Sequence, residues 1–163
     1  MATNDFKVIS LGGCATAPAM VFRTEASATA INAGEPLLVG GTGTNYAVHP
    51  ADAKILISEA NFIGASATVG THTSTADGTV AITMALPGMV WACKALLAST
   101  INTDAKLLAV LNDNVYIDLT SSTFTIDVAN SSAGGTGALR IVGGDIVNGI
   151  VYFTTHTAGT YFA

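Results

Sequence analysis

The chain has 163 residues, a net charge of −5 and 50 % hydrophobic residues, and 10 % of its residues are charged where about 25 % is usual. Its six Lys and Arg residues are dispersed along the chain, which argues against phosphate binding and therefore against a nucleic-acid partner. The most apolar stretch, Met84–Ala98, is interrupted by Pro87, Gly88 and Lys94, so it does not form the run of about 20 apolar residues that a membrane-spanning helix needs.

Short runs of β-branched and aromatic residues, separated by Gly, Asn, Asp, Pro and Ser, predict a chain made mostly of strands. In chain order the predicted strands are Lys7–Leu11, Met20–Glu25, Pro36–Val39, Asn45–Val48, Phe62–Ala67, Gly78–Ala85, Met89–Leu96, Asn114–Leu119, Thr123–Val128, Ala138–Val142 and Ile150–Thr155. The segment Ala51–Ile57 is compatible with a helical turn or with a further strand. Apolar and polar residues alternate most clearly in the later runs, as in strands with one buried face.

One short helix is predicted near residues 103–111, where Asn102 or Thr103 can cap the first turn and Asp104 favours it. The predicted connections are a hairpin tip at Leu119–Thr123, a flexible loop at Asn130–Gly137 and a hairpin turn at Asn148-Gly149. Strands spaced by about 8 to 12 residues predict an all-β, mostly antiparallel fold, either a β-sandwich or a barrel-like domain. No linker divides the chain, so residues 1–163 are expected to form a single domain.

The cysteines and histidines do not show the spacing of a metal site. None of His49, His72 and His156 lies within five residues of another His or Cys, so no metal ion is predicted and the histidines are interpreted as loop residues. Cys14 and Cys93 are interpreted as two small, semi-buried hydrophobic residues, and a disulfide between them stays open.

No catalytic or cofactor-binding residue is predicted. The chain contains no G-x-S-x-G sequence, and the spacing of its acidic residues does not single out a catalytic pair. The segment Gly40–Thr44 is rich in Gly but lacks the lysine and the following helix of a phosphate-binding loop, so it is interpreted as a turn between strands. Trp91, in the interior of a predicted strand, is expected in the core. We therefore expect a protein that is not an enzyme.

Six short segments occur in an order that resembles a known family. They are Ala33–Leu38, Phe62–Ala67, Ala76–Val80, Leu86–Trp91, Asp118–Ser122 and Ile141–Asp145. Together they resemble the small capsid cement, or decoration, proteins of tailed bacteriophages, from about Ala33 to Phe153. The Thr- and Ala-rich segment Met1–Thr29 departs from that pattern, and we interpret it as an arm or edge strand that reaches a neighbouring subunit.

The resemblance implies a structural virion protein that binds the outer surface of the expanded capsid and stabilises the contacts between major capsid subunits. Its partners would be the major capsid protein and further copies of itself, as a homotrimer, with neither nucleic acid nor membrane. It would be made in the host cytoplasm and located on the capsid. The low charge content agrees with this role, because charged residues are depleted at the centre of interfaces, and repeated contacts gain strength through avidity.

An alternative within the virion is a tail, fibre or spike component. Its receptor- or carbohydrate-binding loops would be Asn130–Gly137 and the turn that contains Asp145. A carbohydrate-binding surface would need several exposed aromatic side chains on one face, and aromatic residues make up only 7 % of the chain.

Overall fold

A computed structural model describes residues 6–12, 16–26, 29–40, 47–50, 62–120 and 123–155, with the backbone alone at Ala47–Pro50 and Ser132. The described strands are β1 Lys7–Ser10, β2 Ala19–Thr24, β3 Pro36–Gly40, β4 Ala47–Pro50, β5 Phe62–Ser66, β6 Gly78–Met84, β7 Val90–Lys94, β8 Asn114–Thr120, β9 Thr123–Ser132, β10 Leu139–Asp145 and β11 Ile150–Thr155. A 3-10 helix, Ala98–Thr100, and one α-helix, α1 at Asp104–Val110, follow β7. The predicted fold class is confirmed, because the chain forms two packed, mostly antiparallel sheets with one short α-helix.

The first sheet has the strand order β1-β7-β11-β10-β8-β9, and all of its neighbouring strands are antiparallel. It curls back on itself, since Ala95 bridges to Ile126 of the edge strand β9 and the Leu96 N–H donates to the Ile126 carbonyl at 2.8 Å. The curled sheet encloses the larger core, in which Trp91 is 1 % exposed, and the rings of Phe6 and Phe153 meet edge to face at 5.5 Å.

The second sheet contains β2, β4, β3, β5 and β6, paired in a ring. Six residue pairs join β2 to β6, whereas β2 and β4 are joined by the single parallel pair of Arg23 and Ala47. Because one pair closes the ring, we describe it as a strongly curled sheet and not as a barrel that is hydrogen-bonded all round. A smaller core fills it and consists of Ile31, Leu37, Val39, Ile63, Val80 and Ile82.

Strands β3 and β5 form the wall that the two cores share. Neighbouring residues of β3 belong to different cores, with Leu37 in the smaller and Leu38 in the larger one. The same division separates Ile63 from Phe62 in β5. A strand covered on both faces needs a continuous apolar run, not alternation, and the two sheets therefore pack as a sandwich around β3 and β5.

Each predicted strand overlaps an observed one, but several ends differ. Strand β9 continues to Ser132, so the prediction of a flexible loop beginning at Asn130 was wrong at that end. A bulge opposite β8 accommodates the additional residues, and the Asn130 amide donates to the Asp127 carboxylate at 2.5 Å. Strand β10 likewise continues past Val142 to Asp145. The segment Ala51–Ile57 lies outside the described residues.

The predicted helix cap is confirmed, because the Thr103 hydroxyl accepts a hydrogen bond from the Lys106 N–H at 3.3 Å. Within Met1–Thr29, β1 is an edge strand of the first sheet and β2 belongs to the second. That the remainder of this segment reaches a neighbouring subunit stays a prediction.

Candidate interaction surface

The cysteines and histidines, the residue types that could bind a metal ion, do not form a cluster in the described part of the chain. Cys93 is buried, and its thiol lies 3.6 Å from the Phe124 carbonyl oxygen. His72 is half-buried in the connection before β6. Cys14 and His156 lie outside the described residues.

Two further segments from the sequence analysis are only partly described. His49 lies in β4, of which the backbone alone is described, and the Gly-rich segment is described only at Gly40. Among the residues that the structure covers, no three His, Cys, Asp or Glu side chains are grouped closely enough to hold a metal ion. The same residues include no helix that is long and apolar enough to cross a membrane.

An ion pair between Arg23 and Asp77 ties the end of β2 to the turn before β6. The Arg23 guanidinium donates to Asp77 Oδ2 at 2.7 Å and 3.0 Å, and the Ala26 N–H donates to Asp77 Oδ1 at 2.9 Å. The backbone bond from Ala26 and the bond from Arg23 hold the pKa of the Asp77 carboxyl below its usual value. Both side chains are exposed, so the pair orders a local connection and contributes little to the stability of the fold.

A second carboxylate fixes the turn between β10 and β11. Asp145 Oδ1 accepts from the backbone N–H groups of Val147 at 3.0 Å and Asn148 at 3.1 Å, and Oδ2 accepts from the Asn148 side-chain amide at 2.7 Å. Gly149 completes the turn at φ +66°. The hydrogen bonds from the Asn148 side chain and backbone, together with that from Val147, hold the pKa of Asp145 below its usual value. The predicted turn is therefore confirmed, and Asp145 holds it in one conformation.

We expect this turn to lose stability in acid. Because the pKa of Asp145 is lower in the folded chain than the ordinary value of 3.8, its contribution to stability is complete above that value and is lost as the pH falls through the folded pKa. The Asp145→Asn variant keeps an accepting oxygen but has no carboxylate to protonate, so its urea midpoint should fall less steeply below about pH 4 than that of the wild type. Identical pH profiles of the two midpoints would contradict this role.

The Asp145 turn presents Val147, whose side chain is 87 % exposed at the tip. The segment that follows β7 packs beside the same hairpin. Ala98 lies against Gly149, where a Cβ would be 2.8 Å from the Ala98 Cβ, and Leu107 of α1 lies against Gly144, where a Cβ would be 3.2 Å from its methyl carbon.

Two further large apolar side chains are exposed next to these contacts. Leu97 is 54 % exposed beside Ala98, and Leu108 is 67 % exposed beside Leu107. We call Leu97, Leu108 and Val147, which lie in the β10–β11 hairpin and in the two segments packed beside it, the end patch.

Two charged side chains near the end patch, Lys106 and Asp145, are hydrogen-bonded within the chain. The Lys106 ammonium donates to the Ser99 carbonyl at 2.8 Å and to the Asn102 side-chain oxygen at 3.0 Å. The Asp145 carboxylate is occupied by its own turn. Apolar side chains in surroundings with few unsatisfied charges are typical of the centre of a protein–protein interface.

The connection between β9 and β10, the other predicted contact loop, is held against β8. The Asn114 side-chain amide donates to the Gly135 carbonyl at 2.6 Å, and the hydroxyls of Tyr116 and Thr136 lie 2.8 Å apart. Among the described residues, this connection contributes no exposed large hydrophobic side chain, whereas the β10–β11 turn contributes Val147.

Sequence reasoning identified the turn at Asp145 but not the end patch. In a single sequence, the pair Leu107-Leu108 and the run at Leu96-Leu97 have the pattern of core residues, and no local signal marks one member of each pair as exposed.

No protein-family model matches the chain, and a search of curated proteins finds no match either.

Proposed function

We propose that this chain is a capsid cement protein, which binds the outer surface of an expanded phage capsid and stabilises the contacts between major capsid subunits. The end patch is the observation that carries the proposal. Its three large apolar side chains are between 54 % and 87 % exposed; Val147 lies in a hydrogen-bonded turn and Leu108 in a capped helix. Such side chains gain free energy of burial only when a partner covers them.

The low charge content of the whole chain supports the same proposal. With 10 % charged residues, the surface has few groups whose desolvation would oppose packing against other subunits. Self-association into a closed trimer would bring three end patches to one capsid site, and avidity would then strengthen binding without additional contact area per copy.

Binding of this kind stabilises a capsid by mass action. A ligand that binds only the assembled shell, at a free concentration 100 times its Kd, stabilises each site by about 2.7 kcal/mol. The cement role therefore requires no chemical reaction, only a partner surface that exists in the expanded shell and is lost when the shell comes apart.

The test is co-sedimentation with expanded capsids that were assembled without this protein. We expect saturable binding at a fixed ratio to the major capsid protein, together with a higher melting temperature of the capsid. Unexpanded shells serve as the control and should bind less, because the subunit junctions differ before expansion.

A protein that stays in the supernatant at every concentration would contradict the cement role. If the isolated protein adsorbed to host cells instead, the tail, fibre or spike alternative would replace it.

A further inference from the structure

Asn148 and Gly149 form the only Asn-Gly sequence in the chain, and asparagine is chemically labile in such a pair. The backbone nitrogen of Gly149 attacks the side-chain carbonyl carbon, Cγ, of Asn148. A bond forms between these two atoms, the bond from Cγ to the side-chain nitrogen breaks, and ammonia leaves. Water then opens the cyclic imide at one of its two carbonyl groups, which gives aspartate or isoaspartate at position 148. Gly149 favours the attack because it has no Cβ to obstruct the approach to its nitrogen.

The hydrogen bonds of the β10–β11 turn hold the side chain that would react. Asn148 is exposed, but its Nδ2 donates to Asp145 Oδ2 at 2.7 Å. The Asn148 backbone N–H donates to Oδ1 of the same carboxylate at 3.1 Å. Because Nδ2 is the nitrogen that leaves as ammonia, its bond to Asp145 must break before deamidation is complete.

The attacking residue, Gly149, is held as well. It is buried at φ +66°, and its carbonyl oxygen accepts from the Ala95 N–H at 2.9 Å. A Cβ on Gly149 would be 2.8 Å from the Ala98 Cβ, so the backbone lies close to the segment that follows β7. Ring closure changes the backbone path between Asn148 and Gly149, and these contacts oppose that change. We therefore expect the reaction to proceed from an open form of the turn, in which the hydrogen bonds are broken.

A second asparagine provides an internal comparison. The Asn130 side-chain amide donates to Asp127, three residues earlier, just as Asn148 donates to Asp145. Asn130, however, lies in β9 and is followed by Ser131, whose Cβ obstructs the approach to its backbone nitrogen. The two asparagines thus have the same kind of carboxylate partner and differ in the residue that would attack.

We infer that Asn148 is a site of deamidation and that the Asp145 carboxylate controls its rate by holding the turn closed. Loss of hydrogen bonds to a charged group should make the open turn at least about tenfold more populated. Deamidation in turn destabilises the closed turn, because a second carboxylate replaces the amide that donates to Asp145 and the two like charges repel. Isoaspartate also adds a methylene group to the backbone of the hairpin. Val147, directly before Asn148, then loses its fixed position in the end patch.

The test follows Asn148 by peptide mass spectrometry while the full-length protein ages in mildly alkaline buffer. In the folded wild type we expect conversion at least about tenfold slower than in the same chain unfolded by urea. The Asp145→Ala variant should lose most of this protection, and Asp145→Asn, which keeps one accepting oxygen, should lie between the two. Melting temperatures show whether each variant is folded during the incubation. Asn130 is the control and should stay unconverted in all of the folded proteins.

Three results would overturn the inference. If Asn148 keeps its amide even in the urea-unfolded chain, it is not a deamidation site. If it converts equally fast in the folded and unfolded wild type, the turn gives no protection. If folded Asp145→Ala and Asp145→Asn convert no faster than the folded wild type, Asp145 does not control the rate.

The consequence for binding rests on the proposed cement function and is measured separately. Deamidated protein, separated from the wild type by anion exchange, should bind expanded capsids at least about tenfold more weakly, because its end patch is no longer held in one conformation. A capsid subunit that covers Val147 should also slow the conversion of Asn148, since it stabilises the closed turn. If the wild type binds and the deamidated form binds equally well, this consequence is overturned and the cement role stands. If the wild type does not bind, the cement role falls, and the ageing experiment still decides the assignment of Asn148.

Discussion

Replacing Gly64 with alanine should prevent the chain from folding or destabilise it by more than about 4 kcal/mol. Gly64 lies in β5 at φ +143°, and a Cβ there would be 2.0 Å from the Thr83 carbonyl oxygen and 3.0 Å from the Ala85 nitrogen. Both of these atoms belong to the backbone, so no side-chain rotation can relieve the clash. Relief by a backbone shift is also costly, because β5 is packed on both of its faces and protein interiors transmit strain.

The matched control is Gly134→Ala, in the connection between β9 and β10, where a Cβ would have nothing within 4 Å. That change should alter the free energy of unfolding by no more than about 0.5 kcal/mol. Urea unfolding of the two variants, or the yield of soluble protein where Gly64→Ala cannot be purified, measures the difference. A Gly64→Ala protein within about 1 kcal/mol of the wild type would show that the approach of β5 to β6 is wrong.

Replacing Val147 with aspartate should weaken capsid binding at least about tenfold, which corresponds to about 1.4 kcal/mol. Val147 is the most exposed of the large hydrophobic residues in the part of the chain that the structure covers, at 87 %. A carboxylate placed there is fully hydrated in the free protein and would lose that hydration at an apolar contact. The fold should be unaffected, since the side chain contributes little to the core.

The control is Val69→Asp, which introduces the same change at a side chain 60 % exposed between β5 and β6 of the second sheet. It should leave both the melting temperature and the Kd for expanded capsids close to those of the wild type. Equal loss of binding in the two variants would mean that the added charge acts generally, and unchanged binding in both would remove the end patch from the interface.

The strands could be predicted because their local patterns are strong. In β8 and the first part of β9, apolar and polar residues alternate, and Ile117 and Ile126 are both fully buried as that pattern predicts. The end of β9 was missed because Asn130-Ser131-Ser132 has the composition of a turn. Ser132 pairs with Asn114 beyond a bulge, a distortion that the side-chain pattern does not encode.

The order of the strands could not be predicted from the same patterns. Strand β7 pairs with β1 and β11, whose residues are far from it in sequence, and local periodicity carries no information about such partners. The register of those pairs places Lys7 and Ile150 on either side of Ala92 and Lys94, and no local pattern contains that register. The end patch was missed for a related reason, because exposure of Leu97 and Leu108 is decided by which neighbours the tertiary structure supplies.

The directions of β1 and β11 determine at which end of β7 a peptide inserted directly before β1 or directly after β11 would lie. Both strands run antiparallel to β7, so β1 begins at Lys7, opposite Ala92 in the middle of β7, and runs towards Val90, away from Lys94 and the end patch. The chain leaves β11 beyond Phe153, which is opposite Trp91, and is then travelling towards Val90 and away from that patch. A peptide inserted directly after β11 should therefore begin at the end of β7 away from the end patch, which leaves that patch accessible to a partner.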